Sequence, residues 1–136
     1  MARYEASARM YGDATDISGG HPYPLLNAIL LQCREKGMLS ITHRQLQLMK
    51  KAEIPLRKQV KDDPPYNAPW CFFDLSTICL LTGNTTEALT VLNDGLLYAN
   101  DSEAKTHLDT LRLIENQAPL LPGWKEVVDI LIKHIG

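Results

Sequence analysis

The sequence predicts an all-α protein built from antiparallel helical hairpins. Apolar residues recur at helical spacing in several separate stretches, and strand-type alternation is absent over any useful length. Two of the stretches share one pattern: Leu26-x2-Ile29-Leu30-x2-Cys33-x3-Gly37 returns, 46 positions on, as Phe72-x2-Leu75-Ser76-x2-Cys79-x3-Gly83. Each copy ends at a glycine and is followed by a second helical stretch. A residue without Cβ suits the tight turn of a helical hairpin, because it adopts positive φ at a helix C-terminus at little steric cost.

In chain order, a Gly/Asp/Ser-rich loop near 12–21 precedes the first hairpin, about 23–53, whose stripe is Leu26, Ile29, Leu30 and Cys33. Helical patterning continues over 42–61, where Pro55 predicts a kink or break, since its ring displaces a backbone hydrogen bond. The run Asp62-Asp63-Pro64-Pro65 through Pro69 interrupts the helices. The second hairpin, about 68–99, carries Phe72, Leu75, Cys79 and Leu80, and Asn84 with Glu87 has the form of a capping box opening its second helix.

A helix over about 102–117 follows, capped by Asp101 or Ser102 and striped by Leu108, Leu111 and Ile114. After the break Pro119 to Gly123, a last helix over about 122–135 has Pro122 in its first turn and Trp124, Val127, Val128, Leu131 and Ile132 on one face. No break is long enough for a flexible interdomain linker, so 1–136 reads as one domain.

At 136 residues and 45% hydrophobic content the chain can bury one core. A formal charge of −2 gives no general attraction to phosphate backbones or anionic lipid. Cys33, Cys71 and Cys79 form no CxxC pair and fit reduced, buried thiols. No apolar run reaches membrane-spanning length and the N-terminus lacks a secretory pattern, so a soluble, cytoplasmic protein is expected. Asn84-Thr85-Thr86 matches a glycosylation acceptor, a triplet common by chance.

Catalytic constellations are missing. A nucleophile-elbow hydrolase needs a serine between glycines, and a zincin needs two histidines one helical turn apart with a glutamate; neither occurs. His21, His43, His107 and His134 are scattered and read as surface or partly buried residues, so neither metal nor other cofactor is expected. Cys33 and Cys79 take equivalent core-facing repeat positions, which leaves Cys71, beside Trp70, as the thiol to test for reactivity. Gly19-Gly20-His21 lacks the preceding strand and following Lys-Ser or Lys-Thr of a phosphate cradle, and Asp13 and Asp16 lack the rest of a calcium loop. The expectation is a protein that is not an enzyme.

Stretch 43–61 sets Arg44, Lys50, Lys51, Arg57, Lys58 and Lys61 against the single acid Glu53. The plain reading is a solvated helix face; the alternative is a nucleic-acid-binding helical domain using this stretch. The acidic whole-chain charge and the lack of interleaved aromatic residues favour the first.

The second hairpin resembles the tetratricopeptide repeat. Phe72, Leu75, Ser76, Cys79, Gly83, Ala88, Leu92 and Gly95 fall at the spacings of that repeat's large, leucine, small, large, glycine, alanine, large and small residues. The first copy keeps the helix-A half but has Thr42 and Met49 at two small-residue positions, and the spacing of 46 exceeds the family's 34, which the stretch around Pro55 to Pro65 explains. Tyr4-Glu5-Ala6-Ser7-Ala8 resembles the second helix of an earlier repeat, as in a piece cut from a longer protein. The resemblance implies a short right-handed solenoid of stacked hairpins. A weaker one, carried by Tyr23-Pro24-Leu25-Leu26-Asn27-Ala28, Pro69-Trp70 and Thr106 through Ile114, is to the helical TRAF-binding region of apoptosis-signalling MAP-kinase-kinase-kinases and its bacterial relatives. It implies a regulatory or scaffold module of a signalling protein.

What the tetratricopeptide resemblance implies for function is a groove that takes a protein or peptide partner. Its groove positions, carried onto this sequence, are Pro24, Asn27, Leu31 and Arg34, then Trp70, Phe73, Thr77 and Leu80, with Asp74 beside them. Leu31 and Leu80 read better as core, which leaves Asn27, Arg34, Trp70, Phe73, Asp74 and Thr77 as candidate partner-binding residues. Trp70 and Phe73 could equally serve the core. The clamp by which some members hold a terminal carboxylate would need Lys and Asn at Asn27, Leu31, Phe73 and Thr77, and that set is not present. Homodimerisation stays open, because a truncated stack exposes a helix face at its ends.

Overall fold

The computed structural model describes residues 22–136, with the backbone alone for Pro22, Tyr23 and Ala118. These residues form an all-α fold: α1 (Pro22–Lys36), α2 (His43–Lys61), α3 (Trp70–Leu81), α4 (Thr85–Leu96), α5 (Asp101–Leu111), a 3-10 segment (Arg112–Leu120) and α6 (Trp124–Ile135). No strand occurs among the described residues. Buried side chains from all six helices and from Ile114 of the 3-10 segment join in one core.

α3 is the centre. Its residues WCFFDLSTICLL are apolar nearly all round, as a helix covered on several sides must be, and α1, α2 and α4 pack against it. The α3–α4 pair is an antiparallel hairpin set by small residues. The Ser76 hydroxyl donates to the Ala88 carbonyl at 2.7 Å, and a Cβ on Gly95 would overlap the Phe72 Cβ. The turn is a Schellman closure at Gly83, φ 84°, in which the Asn84 N–H donates to the Cys79 carbonyl at 2.8 Å and the Gly83 N–H to that of Leu80 at 3.3 Å. Gly37 after α1 is also left-handed, φ 72°, so both repeat glycines hold the conformation their position requires.

α2 runs unbroken through Pro55, where a kink or break was expected. Pro55 and Lys51 are both exposed, so the carbonyl that loses its helical donor can be taken up by water. The helix buries Met49, Ala52 and Leu56 and opens with a capping box: Gln45 N–H donates to Thr42 Oγ1 at 3.0 Å, and Thr42 N–H donates to Gln45 Oε1 at 2.9 Å.

Three helix starts differ from expectation. α4 begins after Asn84, but without a capping box: Glu87 receives Arg57 Nη1 and Nη2 at 2.6 and 2.8 Å, and the Asn84 amide donates to Glu87 instead of accepting a backbone N–H. α5 is capped by Asn100, one residue before Asp101, because Asn100 and Glu103 close a reciprocal box. α6 starts after Gly123, φ 92°, so Pro122 lies outside it; the Gly123 backbone passes so close to Thr85 and Leu80 that a side chain would collide.

The helix expected over about 102–117 ends at Leu111, and Ile114 is non-helical at φ −110°, ψ 22°. The Trp124 indole N–H donates to the Leu111 carbonyl at 2.9 Å and so ties the end of α5 to the start of α6. Gln117 Nε2 donates to the Gly37 carbonyl at 2.9 Å and fastens the 3-10 segment to the end of α1. On α6, Trp124, Val127, Val128 and Leu131 are buried, whereas Ile132, expected on the same face, is 45% exposed.

Candidate functional site

α1, α3 and α5 enclose a small open cavity of about 70 Å³. α1 lends it Leu26, Asn27 and Leu30, spaced one helical turn apart around Asn27. α3 lends Trp70, Phe73, Asp74 and Thr77, of which Phe73 is the repeat equivalent of Asn27. Thr106, His107 and Thr110 come from α5. The volume accepts a few waters or the end of one side chain.

The walls are aromatic and aliphatic. Phe73 is fully buried, Trp70 packs edge-on to it with centroids 5.7 Å apart, and the His107 ring stacks flat on it at 4.4 Å. Trp70 itself stays half-buried.

The polar groups are unevenly satisfied. Thr77 Oγ1 donates to the Phe73 carbonyl at 2.8 Å, Thr106 Oγ1 to Ser102 at 3.0 Å and Thr110 Oγ1 to Thr106 at 3.0 Å. All three hydroxyl protons are thus held by helix carbonyls, and what the oxygens still offer is lone pairs. Asp74 is half-buried, and no hydrogen bond or ion pair reaches its carboxylate among the described residues. Desolvation pushes its pKa up to about 7. His107 is 6% exposed, its Nε2 is buried without a hydrogen-bond partner, and desolvation lowers its pKa to about 3, so the imidazole is neutral.

Of the six residues singled out from sequence, Asn27, Trp70, Phe73, Asp74 and Thr77 come together here. Arg34 does not line the cavity; it is exposed in the last turn of α1. Phe73 belongs to the core and forms the cavity floor, while Trp70 stands at the rim. Leu80 is core and Leu31 half-buried.

Sequence reasoning missed the α5 side. His107 was expected at or near the surface, yet it falls on the same face as Ala104, Leu108 and Leu111, and that spacing was the available sign of burial.

Elsewhere, chemistry recedes. Cys71, the thiol set aside for reactivity, is 1% exposed, and desolvation raises its pKa; Cys33 is raised for the same reason, and Cys79 goes to about 12 through desolvation and then the charge of Glu87. No cluster of three or more potential metal ligands, and no helix long and apolar enough to cross a membrane, occurs among the described residues. His21, Gly19-Gly20, Asp13, Asp16 and Tyr4 through Ala8 lie outside the described residues.

The basic stretch is less basic in the fold than in the sequence. Arg57 is held between Glu53, 2.6 Å away on α2 itself, and Glu87 on α4, while Arg44, Lys50, Lys51, Lys58 and Lys61 lie exposed along that helix. Compared with protein-family models, curated proteins and solved structures, the chain has no match in any of the three.

Proposed function

We propose that this chain is a non-catalytic partner-binding module, a short tetratricopeptide-like stack that takes a protein or peptide segment in the groove between α1, α3 and α5. One observation carries the reading: an open cavity gathers an aromatic rim and the carboxylate of Asp74, which has no partner within the described fold. A carboxylate half-shielded from water beside an apolar wall is a convergent polar group of the kind that orients a ligand in a pocket. The small-residue contacts of the α3–α4 hairpin, Ser76 on Ala88 and Gly95 on Phe72, support the tetratricopeptide-like arrangement. A regulatory or scaffold role in a cytoplasmic signalling protein is consistent with such a module.

The test is selection of a random peptide library displayed on phage against the full chain, followed by competition with two variants. Trp70→Ala removes the rim, and Thr106→Trp fills the opening from an exposed position. The proposal expects enriched peptides whose binding falls at least about ten-fold in both variants, equivalent to roughly 1.4 kcal/mol. Peptides that bind both variants undiminished place the binding surface elsewhere, and a selection that enriches nothing removes the groove.

A further inference from the structure

The cavity has a chemical bias that names what it holds. Resting on the groove reading above, we propose that the cavity is a lysine socket, in which the ammonium of a partner's lysine side chain is received by Asp74 and the hydroxyl oxygens of Thr77, Thr106 and Thr110 beside Trp70.

The three threonines have spent their protons on the carbonyls of Phe73, Ser102 and Thr106, and what their hydroxyls retain is acceptor capacity. Asp74 adds a carboxylate with no counter-ion among the described residues. A ligand that accepts hydrogen bonds would meet lone pairs and a negative charge. An ammonium brings three donors and no acceptor from one point, which matches a set of acceptors distributed over α3 and α5.

The aromatic wall agrees. Trp70 is the half-buried ring at the rim, and an indole face is the best side-chain partner for a cation. Leu26 and Leu30 offer apolar surface to the methylene stem. His107 lines the same cavity with its ring stacked on Phe73, and as a neutral imidazole it adds no positive charge that would repel the ligand. Asp74 and His107 are the titratable side chains that line the cavity; Asn27 from α1 is uncharged.

The experiment is an NMR titration of the full chain with N-acetyl-lysine methylamide and with its uncharged isostere, in which a methyl replaces the ammonium. The lysine probe is expected to shift the Trp70, Asp74 and Thr77 resonances saturably, with the isostere and the Asp74→Asn variant each at least about ten-fold weaker. Wild-type affinity should rise about ten-fold from pH 6 to pH 8 as Asp74 ionises, and Asp74→Asn should flatten that profile.

If the isostere binds as well as lysine, the socket is apolar and the cation inference falls while the groove survives. If lysine binds but Asp74→Asn and pH leave it unchanged, the carboxylate is not the receptor and the inference is overturned. If neither probe moves these resonances, the socket is overturned, and the peptide selection decides the groove separately.

Discussion

The imidazole of His107 lies flat on the ring of Phe73, centroids 4.4 Å apart and planes within 4°. That contact joins α5 to the central helix; desolvation by burial keeps His107 neutral, with a pKa of about 3 against an ordinary 6.5, and pushes that of Asp74 in the same cavity up to about 7 from 3.8. The two shifts act oppositely on stability. Between about pH 4 and 6.5 the unfolded chain carries a proton on His107 and none on Asp74, and the folded chain the reverse. The proton counts match, so this pair adds almost no slope to stability in that window.

Removing either partner exposes the other. In Asp74→Asn only the depressed histidine remains; its contribution is complete above pH 6.5 and declines by about 1.4 kcal/mol per unit as pH falls toward 3. In His107→Gln only the raised aspartate remains, and stability declines by a similar slope as pH rises from about 4 to 7. Urea unfolding across pH, taken as the difference from wild type, checks both, because the remaining carboxylates cancel. Profiles of either variant parallel to wild type would contradict the burial of that pair.

Helical content and the α3–α4 hairpin could be read from the sequence because they rest on local signals. The 3.6-residue stripes of Leu26 to Cys33 and Phe72 to Leu80 and the glycines at 37 and 83 are all present as expected. What escaped depended on partners distant in the chain. Glu87 has the local form of a capping residue, but Arg57, thirty positions earlier, takes its carboxylate. Helix α5 stops short where the Trp124 indole reaches the Leu111 carbonyl. In the site, Asn27 and the four α3 residues are among the positions drawn from the sequence, while Leu26 and Leu30 read as core, and His107 required knowing that α5 turns its apolar face onto Phe73.

Gly95→Ala tests how close the hairpin is. The added methyl overlaps the Phe72 Cβ, an atom fixed to the α3 backbone that no rotamer change can move. Overpacking of this kind costs about 1–3 kcal/mol, partly offset by roughly 1 kcal/mol of helix propensity. A net loss of about 1 kcal/mol or more is expected in denaturant midpoints, and an unchanged or raised stability would show that α3 and α4 can separate freely.

Arg57 couples α2 to α4 through Glu87 and to its own helix through Glu53. Its side chain is 39% exposed, so solvent screens the network and Arg57→Met should cost only about 0.5–1 kcal/mol. The cost should shrink in high salt. In a double-mutant cycle with Glu87→Gln the second change should add little once the first is made, since both remove the same contact. Additive losses would mean that the two side chains act independently in solution.

The three cysteines provide a chemical reading of the same core. Cys33, Cys71 and Cys79 are each about 1% exposed, and burial raises the pKa of all three, which removes the thiolate that reacts with disulfide reagents. At a pH of about 8 the folded protein should leave all of them unmodified by Ellman's reagent over the minutes in which a free thiol reacts completely, and all should react in denaturing urea. Cys71 is the informative position. It sits in the first turn of α3, next to the rim residue Trp70, and the Asn67 carbonyl accepts its backbone N–H at 3.2 Å. Fast labelling of Cys71 with Cys33 and Cys79 protected would mean that the first turn of α3 opens without global unfolding, and the cavity wall would open with it.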